Sequence, residues 1–148
     1  MAAVLGIFES TEHEIVYLVP PSLLSLAGTL DTVESAKRFI QSGGVIRGIT
    51  SVSRVNVEEA RTRLGIGEDL RHSDQPHEIF LFVGDKQYCV SSMNVGTDEF
   101  TLAAPLVAFW SEDPTYAAYL LASFESAWAQ AVPAAERIQL IEHGAGQR

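Results

Sequence analysis

The chain has 148 residues, is 47% hydrophobic and 20% charged, and carries a formal net charge of −9. This length and balance predict one globular domain, residues 1–148, with a core that needs no disulfide or metal. No apolar run approaches the roughly 20 residues of a membrane span, and no basic segment followed by an apolar one indicates a signal peptide. With Cys89 as the only cysteine, we expect a cytoplasmic protein in a reducing compartment.

The charge also bears on nucleic-acid binding. Lys and Arg number 10 against 19 Asp and Glu, and they form no basic stripe. Arg61 and Arg63 are the densest pair, a pattern typical of a solvated helix face. Because binding to phosphates depends on cations that displace counterions, we expect that this chain does not bind nucleic acid directly.

Three β-rich runs predict strands in the first half of the chain. Residues 14–19 form a continuous apolar run after Glu14, and the two prolines at 20–21 stop it. Such a run is typical of a buried strand. Residues 45–50 predict a second strand of the same kind, and residues 69–72 predict a short third one. An apolar patch at residues 4–8 comes before these strands and has two interpretations, a native N-terminal helix or the remainder of a longer helix.

Two helices are predicted between these strands. Asp31 followed by Glu34 has the spacing of a capping box, and that helix ends before the glycine pair at 43–44. Asn56 and Glu59 repeat the pattern, so the side chain of Asn56 is expected to cap a second helix that ends near Gly65. Strands that alternate with helices in this way predict an α/β domain.

A hairpin and a further strand are predicted in the second half. Two β-rich runs, residues 78–83 and 87–93, flank a short turn that contains a glycine. This is the pattern of a β-hairpin. Residues 102–110 predict another apolar strand. A hairpin added to parallel strands makes the expected fold α/β with a mixed β-sheet flanked by helices.

The last third of the chain predicts two helices. Asp113 has the position of a helix N-cap, with Pro114 at the first helical residue. Apolar side chains then recur every four residues and form one stripe, which is typical of a core or a dimer interface. Pro133 begins a last short helix that ends at Gly144. The residues of the stripe are Tyr116, Leu120, Phe124 and Trp128.

Residues 77–94 resemble the signature of the phospholipase D superfamily. That signature is a His, any residue and a Lys, then four residues and an Asp, with Gly-Ser-x-Asn on the return strand. His77 falls on the nucleophilic His of the family, and Ser92 and Asn94 fall on its Ser and Asn. The resemblance therefore implies a phospholipase-D-like fold and a pocket at this hairpin.

The same segment departs from the signature at the charged positions. Ile79 stands where the family has its Lys, and Gly84 stands at the Asp position, with Asp85 one residue late. In active members the Lys stabilises the charge that grows on the phosphoryl group, and losing one such donor costs about 10²–10³ in rate. Arg47, Arg71 and Lys86 are candidate replacement cations. The losses predict a degenerate active site without catalysis.

The wider chain is also similar to the sensory domains of prokaryotic TrmB-type transcriptional regulators and of sensor kinases. The features that carry this likeness are the sequences at residues 47–50, 70–72 and 124–138. It implies a non-catalytic ligand-sensing or dimerisation domain of a regulatory or signalling protein. Family members with one motif copy pair, so the resemblance also implies a homodimer that uses the hairpin side or the helix of Tyr116 to Trp128.

The predicted ligand is a neutral or weakly polar small-molecule effector, because the residues that remain are neutral donors and acceptors. The candidate binding residues are His77, Ser92, Asn94 and Arg47, and no cofactor is expected. Two other classes stay open. One is a residual phosphodiesterase or hydrolase with His77 as nucleophile in a dimeric composite site, and the other is a purely structural dimerisation module.

Two weaker constellations involve His72, Asp74, His77 and Cys89. His72, Asp74 and His77, with Asp69 and Cys89, are residue types that can bind zinc, but a loop there would not make their side chains converge. A Cys89–His77 nucleophile pair is conceivable across the hairpin, although a lone Cys on an apolar strand is usually a small buried residue. We therefore predict neither a metal site nor a cysteine nucleophile.

Overall fold

A computed structural model describes residues 7–21, 32–74, 79–85, 88–92 and 107–144. Its strands form one seven-stranded sheet in the order β6-β5-β4-β1-β2-β3-β7. The sheet is mixed and helices pack on both of its faces, which confirms the predicted fold class. The strands are β1 (Glu14–Leu18), β2 (Val45–Thr50), β3 (Asp69–His72), β4 (Ile79–Val83), β5 (Tyr88–Ser92), β6 (Val107–Ser111) and β7 (Val132–Pro133).

The topology has a parallel half and an antiparallel half. β1, β2 and β3 run parallel, and two helices connect them as in βαβ units. β4 pairs antiparallel with β1, and β5 and β6 continue the antiparallel ladder. The four helices with both ends among the described residues are α1 (Thr32–Gln41), α2 (Val57–Gly65), α3 (Pro114–Gln130) and α4 (Ala134–Glu142).

Alternation along the strands divides the core into two clusters. Side chains such as Ile15, Tyr17 and Ile46 point to one face, where α1, α2, α4 and the helical turn at residues 7–10 cover them. We call this the three-helix face. Side chains such as Val16 and Ile49 point to the opposite face, which α3 covers with Leu120, Phe124 and neighbouring residues. We call it the α3 face. Because successive strand residues face opposite sides, a single apolar strand such as β1 serves both clusters.

The sequence placed most of these elements correctly. β2 and β3 have the predicted bounds, and the hairpin forms β4 and β5. Asp113 caps α3, since its carboxylate accepts a hydrogen bond from the Thr115 N–H at 3.0 Å. The predicted apolar stripe on α3 is only partly buried: Leu120 and Phe124 are in the core, whereas Tyr116 is 40% exposed.

The predicted capping role of Asn56 is wrong. Asn56 occupies the N-cap position of α2, but its side chain makes no hydrogen bond to the helix. Its Oδ1 instead accepts from the Ser53 N–H at 3.0 Å, and its Nδ2 donates to the Ser51 carbonyl at 3.0 Å. The side chain is buried, so it satisfies the polar backbone of the loop after β2, which the sequence pattern does not distinguish from capping.

β7 was not predicted. It has two residues, and Pro133 pairs with Arg71 while Val132 pairs with His72. A two-residue strand that contains a proline has no periodic pattern, and proline is found at sheet edges because it donates no ladder hydrogen bond. Among the described residues, no helix is long and apolar enough to cross a membrane.

Candidate functional site

The hairpin of β4 and β5 carries the segment that resembles the phospholipase D signature. Ile79 pairs directly with Ser92 in the ladder, so the position of the missing Lys stands opposite the position of the retained Ser. This pair lies at the sheet edge where β1, β2 and β3 end, because Leu81, two residues along β4, pairs with Leu18 at the end of β1. His77 and Asn94 lie outside the described residues, as does Lys86.

Gly84, at the Asp position of the signature, is tightly packed. A Cβ atom there would collide with Thr11 Oγ1 and would lie 2.9 Å from Ile7 Cγ2. Thr11 is itself held in place, since its hydroxyl donates to the Ile7 carbonyl at 2.6 Å. The helical turn at residues 7–10 therefore packs against the end of β4 and leaves no room for an aspartate side chain at position 84.

Asp85 has a structural role in the same corner. Its carboxylate accepts hydrogen bonds from the backbone N–H groups of Glu12 at 2.8 Å, His13 at 3.1 Å and Glu14 at 3.4 Å, and it also contacts His13 Nδ1 at 3.0 Å. Burial alone would raise the pKa of the Asp85 carboxyl, but these hydrogen bonds together lower it below its ordinary value. Asp85 thus fixes the start of β1 as an ionised carboxylate.

Arg47, a predicted binding residue, lies on β2 under α3. Its guanidinium makes two hydrogen bonds to Glu14, at 2.9 and 3.1 Å, and two to Glu125, at 2.9 and 2.7 Å. It also stands 5.2 Å from the ring centroids of both Phe124 and Trp128. Two carboxylates and two aromatic rings therefore surround this cation, and it joins α3 to the sheet.

Neighbouring charges reinforce this arrangement. The hydrogen bonds to Glu125 raise the pKa of Arg47 despite partial burial, and the same bonds lower the pKa of Glu125. Arg71, a second candidate cation, lies 4.0 Å from the centroid of the Trp128 ring and donates to the Trp128 carbonyl at 2.9 Å. We name the set Arg47, Arg71, Glu125 and Trp128 the α3 clamp.

Within one copy of the chain, the structure does not bring Arg47 and Ser92 together. The register runs from Arg47 through Val16 and Val83 to Tyr88, three strands away. Ser92 lies four residues further along β5. Strand spacing and residue rise then separate the two backbone positions by about 14 Å across the sheet and about 14 Å along it. A shared site for both residues in one chain therefore stays a prediction without geometric support.

The metal and cysteine constellations are not assembled in the described part of the chain. No group of three or more His, Cys, Asp or Glu side chains suited to a metal ion occurs there. His72 Nδ1 accepts the Val52 N–H at 2.9 Å, and its Nε2 contacts Asp74 Oδ1 at 2.7 Å. Both ring nitrogens of His72 are thus engaged in hydrogen bonds. Cys89 pairs with Phe82 in the ladder.

Sequence reasoning missed one buried polar network. The Tyr17 hydroxyl donates to Glu68 Oε1 at 2.5 Å, and Arg63 donates to Glu68 Oε2 at 3.1 Å and to Thr32 Oγ1 at 2.8 Å. Burial raises the pKa of both Tyr17 and Glu68. Gly48 makes room for the Tyr17 ring, because a Cβ there would overlap it. The prediction that Arg61 and Arg63 lie on a solvated helix face is therefore wrong for Arg63, which is 5% exposed.

Comparison with known proteins places the fold in the phospholipase D class. No protein-family model matches the sequence, and no curated protein matches it. The described architecture is similar to the crystal structure of the phospholipase D family member Nuc from Salmonella typhimurium, with a TM-score of 0.68, 15% identity, and coverage of 89% of this chain and 88% of Nuc. The predicted phospholipase-D-like fold is thereby confirmed.

The second structure in this comparison is that of a chromatin protein. TrmBL2, an archaeal chromatin protein whose structure shows a novel mode of DNA binding, matches with a TM-score of 0.64 and 12% identity. The match covers 87% of this chain and 48% of TrmBL2, so the chain spans about half the length of that protein. At these identities both likenesses establish the fold. The predicted resemblance to phospholipase D and TrmB-type proteins is confirmed at that level.

Proposed function

We propose that this chain is a non-catalytic ligand-sensing or dimerisation domain of a regulatory or signalling protein. The observation that carries the proposal is the packing of Gly84, where Thr11 and Ile7 occupy the space that the Asp side chain of the signature would need. The next residue in the sequence, Asp85, has a carboxylate, but that carboxylate accepts hydrogen bonds from backbone N–H groups at the start of β1 and just before it. Both features support the loss of the catalytic arrangement at this hairpin.

The charge environment supports the same proposal. A phosphodiesterase needs a cation beside the phosphoryl oxygens, and Ile79 supplies none. The candidate replacements Arg47 and Arg71 are engaged in the α3 clamp. His77, Ser92 and Asn94 remain the proposed ligand-binding residues, and a neutral or weakly polar effector suits their chemistry. We also propose that the chain is a single cytoplasmic domain. It does not bind nucleic acid directly, because a net charge of −9 opposes phosphate binding.

The first experiment measures hydrolysis and ligand binding on the same preparations. Purified protein and a His77→Ala variant are assayed with bis(p-nitrophenyl) phosphate, and both are then screened by thermal shift against sugars, apolar metabolites, nucleotides and phosphodiesters. We expect equal background hydrolysis and a stabilising neutral compound. At about 100 times its dissociation constant that compound adds about 2.7 kcal/mol to the free energy of unfolding. Turnover that disappears in His77→Ala would instead establish a hydrolase.

The outer side of α3 supports a homodimer. Glu125 is the only charged residue of this 17-residue helix, and it is engaged by Arg47. Tyr119 is 63% exposed and stacks on Tyr116 with the ring centroids 5.9 Å apart. Leu121 is also exposed. A largely exposed helix with so little charge is typical of an interaction surface, so we propose that two copies pair through α3.

Sedimentation equilibrium tests the dimer. We expect the protein to have twice the mass of the chain, and Tyr119→Glu to sediment as a monomer because it places a charge in the proposed interface. Val55→Glu is the matched control, since Val55 is 65% exposed and lies away from α3, before α2. A monomeric parent protein, or a Tyr119→Glu variant that remains a dimer, would refute pairing through α3.

A further inference from the structure

A cleft opens beside β3, between the end of that strand, β7 and α4. Its volume is about 520 Å³, within the range of roughly 300–1,000 Å³ of small-molecule sites. It lies at the carboxyl end of the parallel strands, where open α/β sheets commonly bind ligands. The residues used below are His72, Asp74, Val132, Glu136, Arg137 and Leu140, all of which line it.

His72 holds one wall of this cleft. The imidazole is buried, and its Nδ1 accepts the Val52 N–H at 2.9 Å. Because Nδ1 is the acceptor, the neutral ring carries its proton on Nε2 and donates it to Asp74 Oδ1 at 2.7 Å. This hydrogen bond lowers the pKa of the Asp74 carboxyl. An exposed aspartate is thereby kept ionised and held in one orientation at the rim.

Arg137 supplies a positive charge in the same cleft, opposite in sign to that of Asp74. Its Nε donates to the Val52 carbonyl at 3.1 Å, so Val52 anchors both the arginine and His72. A guanidinium has five N–H donors in a fixed fork, so an arginine that already has partners within the fold can also bind a ligand carboxylate. The side chain projects from α4. Glu136, the residue before Arg137 in the same helix, adds a second carboxylate to the lining.

Two apolar side chains complete the lining. Val132 is 45% exposed and Leu140 is 49% exposed. A ligand with a hydrocarbon part would remove this surface from water. Two carboxylates disfavour a phosphate or any other dianion, whereas one guanidinium disfavours a simple polyamine.

We propose that this cleft binds a free α-amino acid with an aliphatic side chain. Its ammonium group lies against Asp74 and Glu136, its carboxylate against Arg137, and its side chain on Val132 and Leu140. The site goes beyond the proposed function, because none of the lining residues named above belongs to the β4–β5 hairpin.

Calorimetric titration with three probes tests the ligand class. We expect L-leucine to bind saturably, and 3-methylbutylamine and 4-methylpentanoate, which lack the carboxylate and the ammonium group respectively, to bind at least about tenfold more weakly. No saturable heat with L-leucine overturns the proposal. An amine that binds as tightly as L-leucine overturns the assignment of Arg137.

A charge-neutralising variant tests the location. Asp74→Asn combined with Glu136→Gln keeps the side-chain volumes and an acceptor for His72 Nε2–H, and circular dichroism checks its fold. We expect L-leucine binding at least about tenfold weaker. Glu12→Gln, an exposed residue just before the start of β1, is the control and should bind normally. Unchanged binding in the double variant, or weakened binding in the control, overturns the site and leaves the hairpin proposal untouched.

Discussion

The two faces of the sheet are built by different means. On the three-helix face, three helices and the turn at residues 7–10 bury a large apolar cluster together with the Arg63–Glu68–Tyr17 network. On the α3 face, a single 17-residue helix inserts Leu120 and Phe124 as its fully buried side chains, and the α3 clamp holds it at the partly exposed periphery. The first face is closed within one chain, whereas the second leaves in water the outer side of a helix whose only charged residue is Glu125.

This difference indicates where the domain can change without unfolding. Removing one partner from a buried ion network leaves an unpaired charge in a low-dielectric environment. A substitution in the network of the three-helix face therefore lowers the free energy of unfolding strongly. The Glu14 and Glu125 carboxylates that pair with Arg47 of the α3 clamp are partly hydrated, and hydrated ion pairs contribute little each. The α3 face is therefore the one suited to pairing and to adjustment.

The contrast between the two faces of the sheet is tested most strongly by Phe124→Ala. The Phe124 ring is fully buried against β1, β2 and β4 residues, and its removal leaves a cavity under α3. We expect the free energy of unfolding to fall by about 3–5 kcal/mol, measured by urea denaturation. Ser126→Ala, exposed on the same helix, should change it by less than about 0.5 kcal/mol. A small effect at Phe124 would mean that α3 is not anchored by this ring.

Tyr17→Phe tests the three-helix face and its response to pH. Loss of the hydrogen bond to Glu68 should lower the free energy of unfolding by about 1.5–3 kcal/mol at pH 8. Burial, with Glu68 close by, raises the pKa of Tyr17 well above 10.0, so the hydroxyl stays protonated in the folded protein after unfolded tyrosine ionises. The contribution of Tyr17 is thus complete below pH 10 and is lost as the pH rises further.

Urea denaturation of both proteins at pH 8 and at pH 10.5 measures this effect. We expect the difference between the parent and Tyr17→Phe to shrink at the higher pH. The exposed Val55→Ala substitution is the control and should show no pH-dependent difference, because it removes no ionisable group. A constant difference for Tyr17→Phe at both pH values would contradict a buried, protonated hydroxyl.

Of the three substitutions, Arg47→Met should have the smallest effect on the free energy of unfolding. It removes the cation–π contacts and the ion pairs of the clamp but leaves Glu14 and Glu125 hydrated, so we expect a loss of about 1–2 kcal/mol. The intrinsic fluorescence of Trp128 should change as well. Arg61→Met removes the exposed ion pairs of Arg61 with Glu58 and Glu142 and should cost at most about 0.5 kcal/mol. Equal losses in the two variants would show that the clamp is an ordinary surface ion pair.

Local patterns account for the elements that the sequence predicted. β2, β3, the hairpin and the Asp113 cap of α3 each depend on residues that are close in the chain, such as alternating β-branched residues or a cap followed by Pro114. The role of Asn56 could not be predicted, because a loop amide and a helix cap have the same spacing. The position of Arg47 depends on β1 and α3, which lie far from it in sequence.

By itself, the sequence determined the order of strands and helices apart from β7, the mixed α/β class and the departures from the phospholipase D signature at Ile79 and Gly84. The tertiary structure decided which charges are used within the chain. It buried Arg63 with Glu68, placed Arg47 between two carboxylates, and filled the space beside Gly84 with Thr11. Periodicity reports which face of an element is apolar, but the partner of a charged side chain depends on the packing of distant segments, which only the folded chain brings together.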